Sequence, residues 1–298
     1  MKRNLVIVFV FLLTVGHSFG QGYTFKVLAN KGDNKIKTGS DWKALKTGAS
    51  LNTGDELVVS DDAYLGLVHA SGKTMELKDA GTHKVADLAE RVNNGGSSVA
   101  SKYADFVLSK MSAEGKKNRL SATGAVHRGI GTPINVYLPN SISEIYGDKT
   151  VVRWDLSEDA EVYKVTLKNM FEDVILEIET NENSVEIDMT DPKIAKENVL
   201  LVEVIDNNDK SVKPKAKAMR KLNADKSNQV KTQLEELMAG VEEVNALNKF
   251  ILAGFFEENN LLADALTSYE QAIAMAPEVS TFQEAYEEFL YRNDLKPN

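Results

Sequence analysis

Apolar and polar positions along this chain change period three times. From 22 to about 90 they alternate in short runs, as in Tyr23-Thr24-Phe25-Lys26-Val27-Leu28 and, less strictly, Glu56-Leu57-Val58-Val59-Ser60. The runs are separated by Gly32-Asp33-Asn34, Thr53-Gly54-Asp55 and Ala70-Ser71-Gly72-Lys73, turns in which glycine is expected to supply positive φ. This predicts a small all-β unit with Leu65, Leu67, Met75 and Leu77 facing inward. Past Asn94-Gly95-Gly96 the period lengthens. Val99, Tyr103, Phe106, Val107 and Met111 share one helical face, which predicts an amphipathic helix docked on a neighbouring domain. Residues 113–132 are rich in Gly, Ser, Lys and Arg and read as a flexible linker, so that helix and linker occupy 97–132.

Alternation returns from 133 to 220. Strands are expected at 134–138, 150–154, 162–167, 174–178, 184–187, 200–205 and 212–217, the makings of a seven-stranded β-sandwich. Asp206-Asn207-Asn208-Asp209 reads as a hairpin turn, since it lacks the spaced carboxylates and distal Glu of a calcium loop. From Ser227 the helical period takes over. Val230, Leu234, Leu237, Val241 and Val244 form a stripe, with Glu235, Glu236, Glu242 and Glu243 mostly opposite. Two helices follow at 245–258 and 261–276, joined by Asn259-Asn260, which tolerate a left-handed turn. A last helix at 281–292 carries Phe282, Tyr286, Phe289 and Leu290.

Three family resemblances attach to these units. Trp42-Lys43-Ala44-Leu45, Thr47-Gly48-Ala49-Ser50-Leu51, Thr53-Gly54-Asp55-Glu56-Leu57 and Tyr64-Leu65-Gly66-Leu67, followed by Ser71-Gly72-Lys73, occur in an order that resembles the FecR-like domain. The likeness covers about 22–90, in a unit running to 93. That family is a periplasmic β module first named from iron-citrate signalling, where it belongs to a membrane-spanning regulator of a sigma factor. Val151-Val152-Arg153-Trp154 and Tyr163-Lys164-Val165-Thr166-Leu167 are similar to the second and third strands of fibronectin type III domains. The resemblance implies that Trp154 is buried between two sheets.

In the C-terminal region, 227–298, Leu252, Ala253, Phe256, Ala265, Tyr269, Ala272 and Pro277 resemble the core pattern of a tetratricopeptide repeat. Small residues let two antiparallel helices approach, aromatic ones fill the space between, and Pro277 stops the second helix. Lys249 stands where the family often has Trp, and Ala253 replaces its Gly. The resemblance implies a concave, ligand-holding face lined by Leu247, Phe250, Gly254 and Glu257. Leu247, Phe250 and Glu257 are therefore the candidate protein-binding residues, with packing on the 234–241 helix as the alternative for Phe250. Arrays usually need about three repeats to be stable. One repeat flanked by single helices predicts a small docking head rather than an extended groove. The expected fold class is multidomain, β plus α: FecR-like β domain, seven-stranded sandwich, antiparallel helical repeat.

Composition narrows the function classes. The chain has 298 residues, 43% of them hydrophobic and 27% charged, ordinary values for folded domains. Its formal charge of −9 argues against general nucleic-acid binding, which needs clustered Lys and Arg. Lys2 and Arg3 precede an apolar run from Leu5 to Val15, and Ser18-Phe19-Gly20 supplies a small-x-small site. Residues 1–20 thus have the layout of a secretory signal cleaved near Gly20, with an uncleaved anchor as the alternative. The product is expected in a periplasm or outside the cell, touching membrane only through that segment or a partner. There is no cysteine, so stability has to come from ordinary cores.

Candidate chemistry is sparse. His17 lies in the signal, and His69, His83 and His127 have no metal-ligand spacing around them. No GxSxG, phosphate-loop or dinucleotide fingerprint occurs. Carboxylate pairs such as Glu177/Glu179 and Glu257/Glu258 are what an acidic surface makes by chance. Catalytic residues, cofactors and metals are therefore all expected to be none. Two basic clusters stand out: Lys116, Lys117, Arg119 and Arg128 in the linker, and Lys213, Lys215, Lys217, Arg220 and Lys221 near 220. Alternation at Lys213, Lys215 and Lys217, with Pro214 between, predicts a charged face on an edge strand. The reading that follows is a non-enzymatic, exported interaction or scaffold protein of a bacterial envelope, whose partner is an envelope protein or peptide. The alternatives are a periplasmic signalling component related to FecR-type regulators and a glycan-binding or hydrolytic protein.

Overall fold

The computed structural model describes residues 22–92, 98–111, 133–157, 160–208, 214–239, 241 and 244–296. The expected signal at 1–20, the linker at 113–132 with its basic cluster and His127, and Lys213 lie outside them.

The N-terminal unit has eight strands: β1 (Phe25–Lys31), β2 (Lys35–Thr38), β3 (Asp41–Ala44), β4 (Ser50–Leu51), β5 (Glu56–Val59), β6 (Tyr64–His69), β7 (Thr74–Leu77) and β8 (Gly81–Lys84), followed by helix α1 (Val85–Arg91). They form two sheets, ordered β4-β1-β6-β7 and β3-β2-β5-β8. Phe25, Val27, Leu57, Val59, Leu65, Leu67 and Leu77 fill the space between, with Met75 packed against them. Gly32 and Gly72 take positive φ (98° and 90°), whereas Gly54 does not. The alternation of β1 and β6 is imperfect for a physical reason. Their second face is buried too, since Leu28, Ala29, Tyr64 and Val68 belong to the core built around the helices.

The middle unit holds β9 (Ser143–Ile145), β10 (Lys149–Arg153), β11 (Tyr163–Lys168), β12 (Val174–Thr180), β13 (Ser184–Asp188), β14 (Val199–Asp206) and β15 (Lys217–Lys221). A five-stranded sheet, β12-β11-β14-β15-β9, shares one core with the pair β10-β13. Trp154 is fully buried there, edge-on to Tyr163 at 5.4 Å. Two expected strands differ. Residues 134–138 make only an isolated bridge, Val136 to Trp154. Val136 and Leu138 enter the middle core while Tyr137 between them enters the helical one, so the segment is clamped from both sides. Its place in the sheet is taken by β9, parallel to β15.

That neighbour also corrects the reading of the second basic cluster. β15 begins at Lys217 and lies inside the sheet, not at its edge. Lys217 is buried, and its ammonium donates to the Leu138 carbonyl at 2.7 Å and to Asn140 Oδ1 at 2.9 Å. Burial lowers its pKa, and the charge of Lys215 adds to the effect. Lys221 likewise donates to the carbonyls of Ile194 and Ala195. These lysines tie loops to the sheet and do not form a charged outer face.

The helices are α2 (Ser98–Lys110) and, at the C-terminus, α3 (Ala224–Leu237), α4 (Ala246–Glu258), α5 (Leu262–Met275) and α6 (Ser280–Arg292). Asn223 and Asn245 cap α3 and α4 by accepting the amides of Lys226 and Asn248. Asn260 takes the left-handed conformation between α4 and α5, and Pro277 follows the end of α5. α4 is buried nearly all round. Helix α2 packs on it through Tyr103 and Phe255 (5.1 Å), α5 through Phe250 and Tyr269 (5.9 Å), and α6 through Phe250 and Phe282 (4.9 Å). The helical unit thus lies between the two β units. Among the described residues no helix is long and apolar enough to cross a membrane.

Candidate interaction surface

The residues expected to face a partner are inside the molecule. Leu247 abuts Gly66 of β6, where an added Cβ would come within 2.9 Å of Leu247 Cδ1. Phe250 is covered by Tyr269 and Phe282 and shares one core with Val230 and Leu237 of α3, which ends at Leu237. Glu257 accepts both Arg292 Nε at 2.5 Å and Arg292 Nη2 at 2.7 Å, as well as Asn293 Nδ2 at 3.1 Å. Gly254 meets Val107 of α2. Helices α2 and α6 and the sheet β4-β1-β6-β7 therefore occupy the face that a free helix pair would offer. Of the repeat-core residues, Ala253, Phe256, Ala265, Tyr269 and Ala272 are buried, Leu252 is half-buried and Pro277 is exposed.

The second helix of the pair is committed in the same way. Asp264, at the start of α5, accepts the amides of Tyr146 (2.9 Å) and Gly147 (2.7 Å) in the turn between β9 and β10. Thr267 Oγ1 accepts the Val151 amide at 2.9 Å, and Arg153 pairs with Glu270, Nη2 to Oε2 at 2.6 Å. Three successive turns of α5 thus satisfy backbone and charge on β10 and on the turn before it. Burial pushes the Asp264 carboxyl up to about 6 even though both amides favour its ionised form.

Among the described residues no group of three or more His, Asp or Glu is placed to hold a metal. His69 Nδ1 contacts Ser71 Oγ, and His83 Nε2 contacts the Asp79 carbonyl. A cavity of about 350 Å³ beside Tyr146, Asp148, Thr190 and Ser227 has one ammonium, Lys221, already held by two carbonyls.

Among the described residues, the tip of the β11–β12 hairpin stays open. Met170, Phe171 and Val174 are 64%, 76% and 56% exposed, whereas Trp42, Ile142, Leu156, Val244 and Met275 are scattered singly. The tip is held rigidly. Asn169 Oδ1 accepts the amides of Phe171 (2.9 Å) and Asp173 (3.0 Å), the Asn169 amide donates to the Asp173 carbonyl (3.0 Å), and its Nδ2 donates to Asp173 Oδ2. Glu172 sits at φ 68°, a conformation that costs a non-glycine residue. A turn this tightly bonded holds Met170 and Phe171 out of the core. In the sequence, Asn169-Met170-Phe171-Glu172-Asp173 carries one visible signal of this tip, two large apolar residues in a turn between strands. Asp264 carries none, because one carboxylate on a helix looks like a solvated position until its partners are known.

Compared with known proteins, the chain matches no family model and no curated protein sequence.

Proposed function

We propose that the chain is a non-enzymatic, exported scaffold of a bacterial envelope that engages a protein partner through the tip of the β11–β12 hairpin. The observation that carries this is the rigid presentation of Phe171 and Met170 to solvent. Preorganised aromatic anchors dominate interface energies because little entropy is lost when they are buried. In this reading the N-terminal unit is a FecR-like domain, the middle unit a fibronectin type III-like sandwich and the α4–α5 pair a tetratricopeptide-like repeat. Support for the last two comes from Trp154 between the sheets and from Ala253, Ala265 and Ala272 at the close approach of the helices. The helix pair's binding face is spent on the chain's own β units, which it holds in fixed relation. The protein acts after removal of residues 1–20, in a periplasm or outside the cell, and works without a cofactor.

The test is a photo-crosslinking residue at position 171 of the full chain in its native cells. A discrete protein adduct is expected, absent when the probe is moved to the exposed Thr82 on β8. Phe171→Asp should lower capture of that protein without changing the melting profile. Equal adducts at both positions, or none at 171, would remove the basis for the proposal.

A further inference from the structure

The hairpin continues into an open sheet edge, and its chemistry names the class of partner. Among the described residues β12 pairs with β11 alone. The hydrogen-bond phase can be fixed from β11's other side. The Asn207 amide donates to the Val162 carbonyl at 2.9 Å, so 162 and 207 form a bonded pair. Antiparallel ladders alternate, so Lys164 and Thr166 also turn their backbone groups to β14, while Val165 and Leu167 turn theirs to β12. Their partners Ile178 and Leu176 face β11. The N–H and C=O of Glu177 and Glu179 are consequently directed at the free edge.

Natural edges are blunted by lysines, prolines, bulges or covering segments. Here there is an irregularity near the tip, where Leu167 pairs with Leu176 but Lys168 with Val174. From Leu176 to Thr180 the strand is regular. Segment 169–182 contains no Lys or Arg, but it carries Glu172, Asp173, Glu177, Glu179 and Glu182. The nearby cations are engaged: Lys164 pairs with Glu177 and Lys168 with Glu203. A second copy added across this edge would set its glutamates against these, and like charges on facing strands destabilise a sheet. An anionic lipid surface is disfavoured for the same reason.

We infer that the partner docks a cationic extended segment as a further strand along 176–180 of β12, with Met170 and Phe171 gripping it at one end. Strand addition takes its affinity from main-chain hydrogen bonds and its selectivity from side chains, here the excess negative charge of Glu172, Asp173, Glu177, Glu179 and Glu182, which the Lys164–Glu177 pair offsets only in part. The inference rests on the partner reading above.

The probe is a labelled soluble peptide alternating Lys and Thr, titrated against the full chain beside its Glu/Thr counterpart. The cationic peptide should bind, weaken with salt, and lose affinity by roughly tenfold or more on Glu177→Lys/Glu179→Lys. Glu177→Pro removes one outward N–H together with the carboxylate and leaves the ladder to β11 intact, so it should lose more affinity than Glu177→Ala, which removes the carboxylate alone. Glu90→Lys, exposed on α1, should change nothing. Equal binding to Glu177→Pro and Glu177→Ala, or equal binding of the acidic peptide, would overturn strand addition. So would a dimer of the parent chain that dissociates on Glu177→Pro, which would give the edge to a second copy. If the position-171 crosslink survives Glu177→Pro, the partner reading stands and the edge inference falls. If the peptide binds as described but no crosslink forms, the reverse holds.

Discussion

Asp264 Oδ1 lies 2.7 Å from the amide nitrogen of Gly147 and would lie 2.8 Å from any Cβ placed there. One oxygen thus both needs the Gly147 backbone and excludes a side chain from it. The contact joins residues 117 apart in sequence and locks helix α5 onto the turn between β9 and β10.

Gly147→Ala should therefore strain this junction. The new methyl meets Asp264 Oδ1, which cannot retreat without losing its bond to the Gly147 amide, and lies 3.3 Å from the Lys149 carbonyl. A loss of about 1–3 kcal/mol is expected from urea denaturation. A variant as stable as the parent would show that the junction yields freely.

The same carboxylate sets a pH dependence. Burial raises Asp264 from its usual 3.8 to about 6, so between these values the folded chain keeps a proton that the unfolded chain has released. Its stability contribution is full below about pH 4 and declines as pH rises through 6, by about 2–3 kcal/mol. Asp264→Asn does not titrate. The stability difference between parent and variant should shift in the variant's favour as pH rises from 4 to 7, and a difference constant over that range would refute the assignment.

At Gly254 an added Cβ would sit 2.4 Å from Val107 Cγ2 and 3.4 Å from the Tyr103 carbonyl. Val107 is β-branched and held by its helix, so it has little rotamer freedom with which to yield. Gly254→Ala should destabilise by about 1–3 kcal/mol despite the better helix propensity of alanine. Adding Val107→Ala should restore part of the loss, and thermal melts of the two variants decide it.

Tyr269 is fully buried among Phe250, Tyr286 and Phe289. Tyr269→Ala should cost about 3–5 kcal/mol, read as a lowered denaturation midpoint of the full chain. An unchanged midpoint would mean that the helical core does not contribute to the cooperative unit.

Much of the architecture was legible in periodicity. The β-to-helix change near 220, the Asn260 turn and the burial of Ala265, Tyr269 and Ala272 follow from spacing and residue size, because local geometry repeats at 2.0 and 3.6 residues. The direction in which a helix face looks is not local. Leu247, Phe250 and Glu257 have the same residue types whether they meet a foreign peptide or Gly66, Phe282 and Arg292 of their own chain. The same holds for Lys217, whose alternation looks solvated until β9 covers the strand.

By itself the sequence determined most of the elements, their order and the charge balance, since these depend on neighbours a few residues away, but not the bridge at 134–138 or strand β9. Tertiary structure alone decided which faces are consumed within the chain and which remain open. Desolvation and shape are set by residues far apart in sequence, as Asp264 and Gly147 are, and only their juxtaposition leaves the Met170–Phe171 tip and the β12 edge exposed.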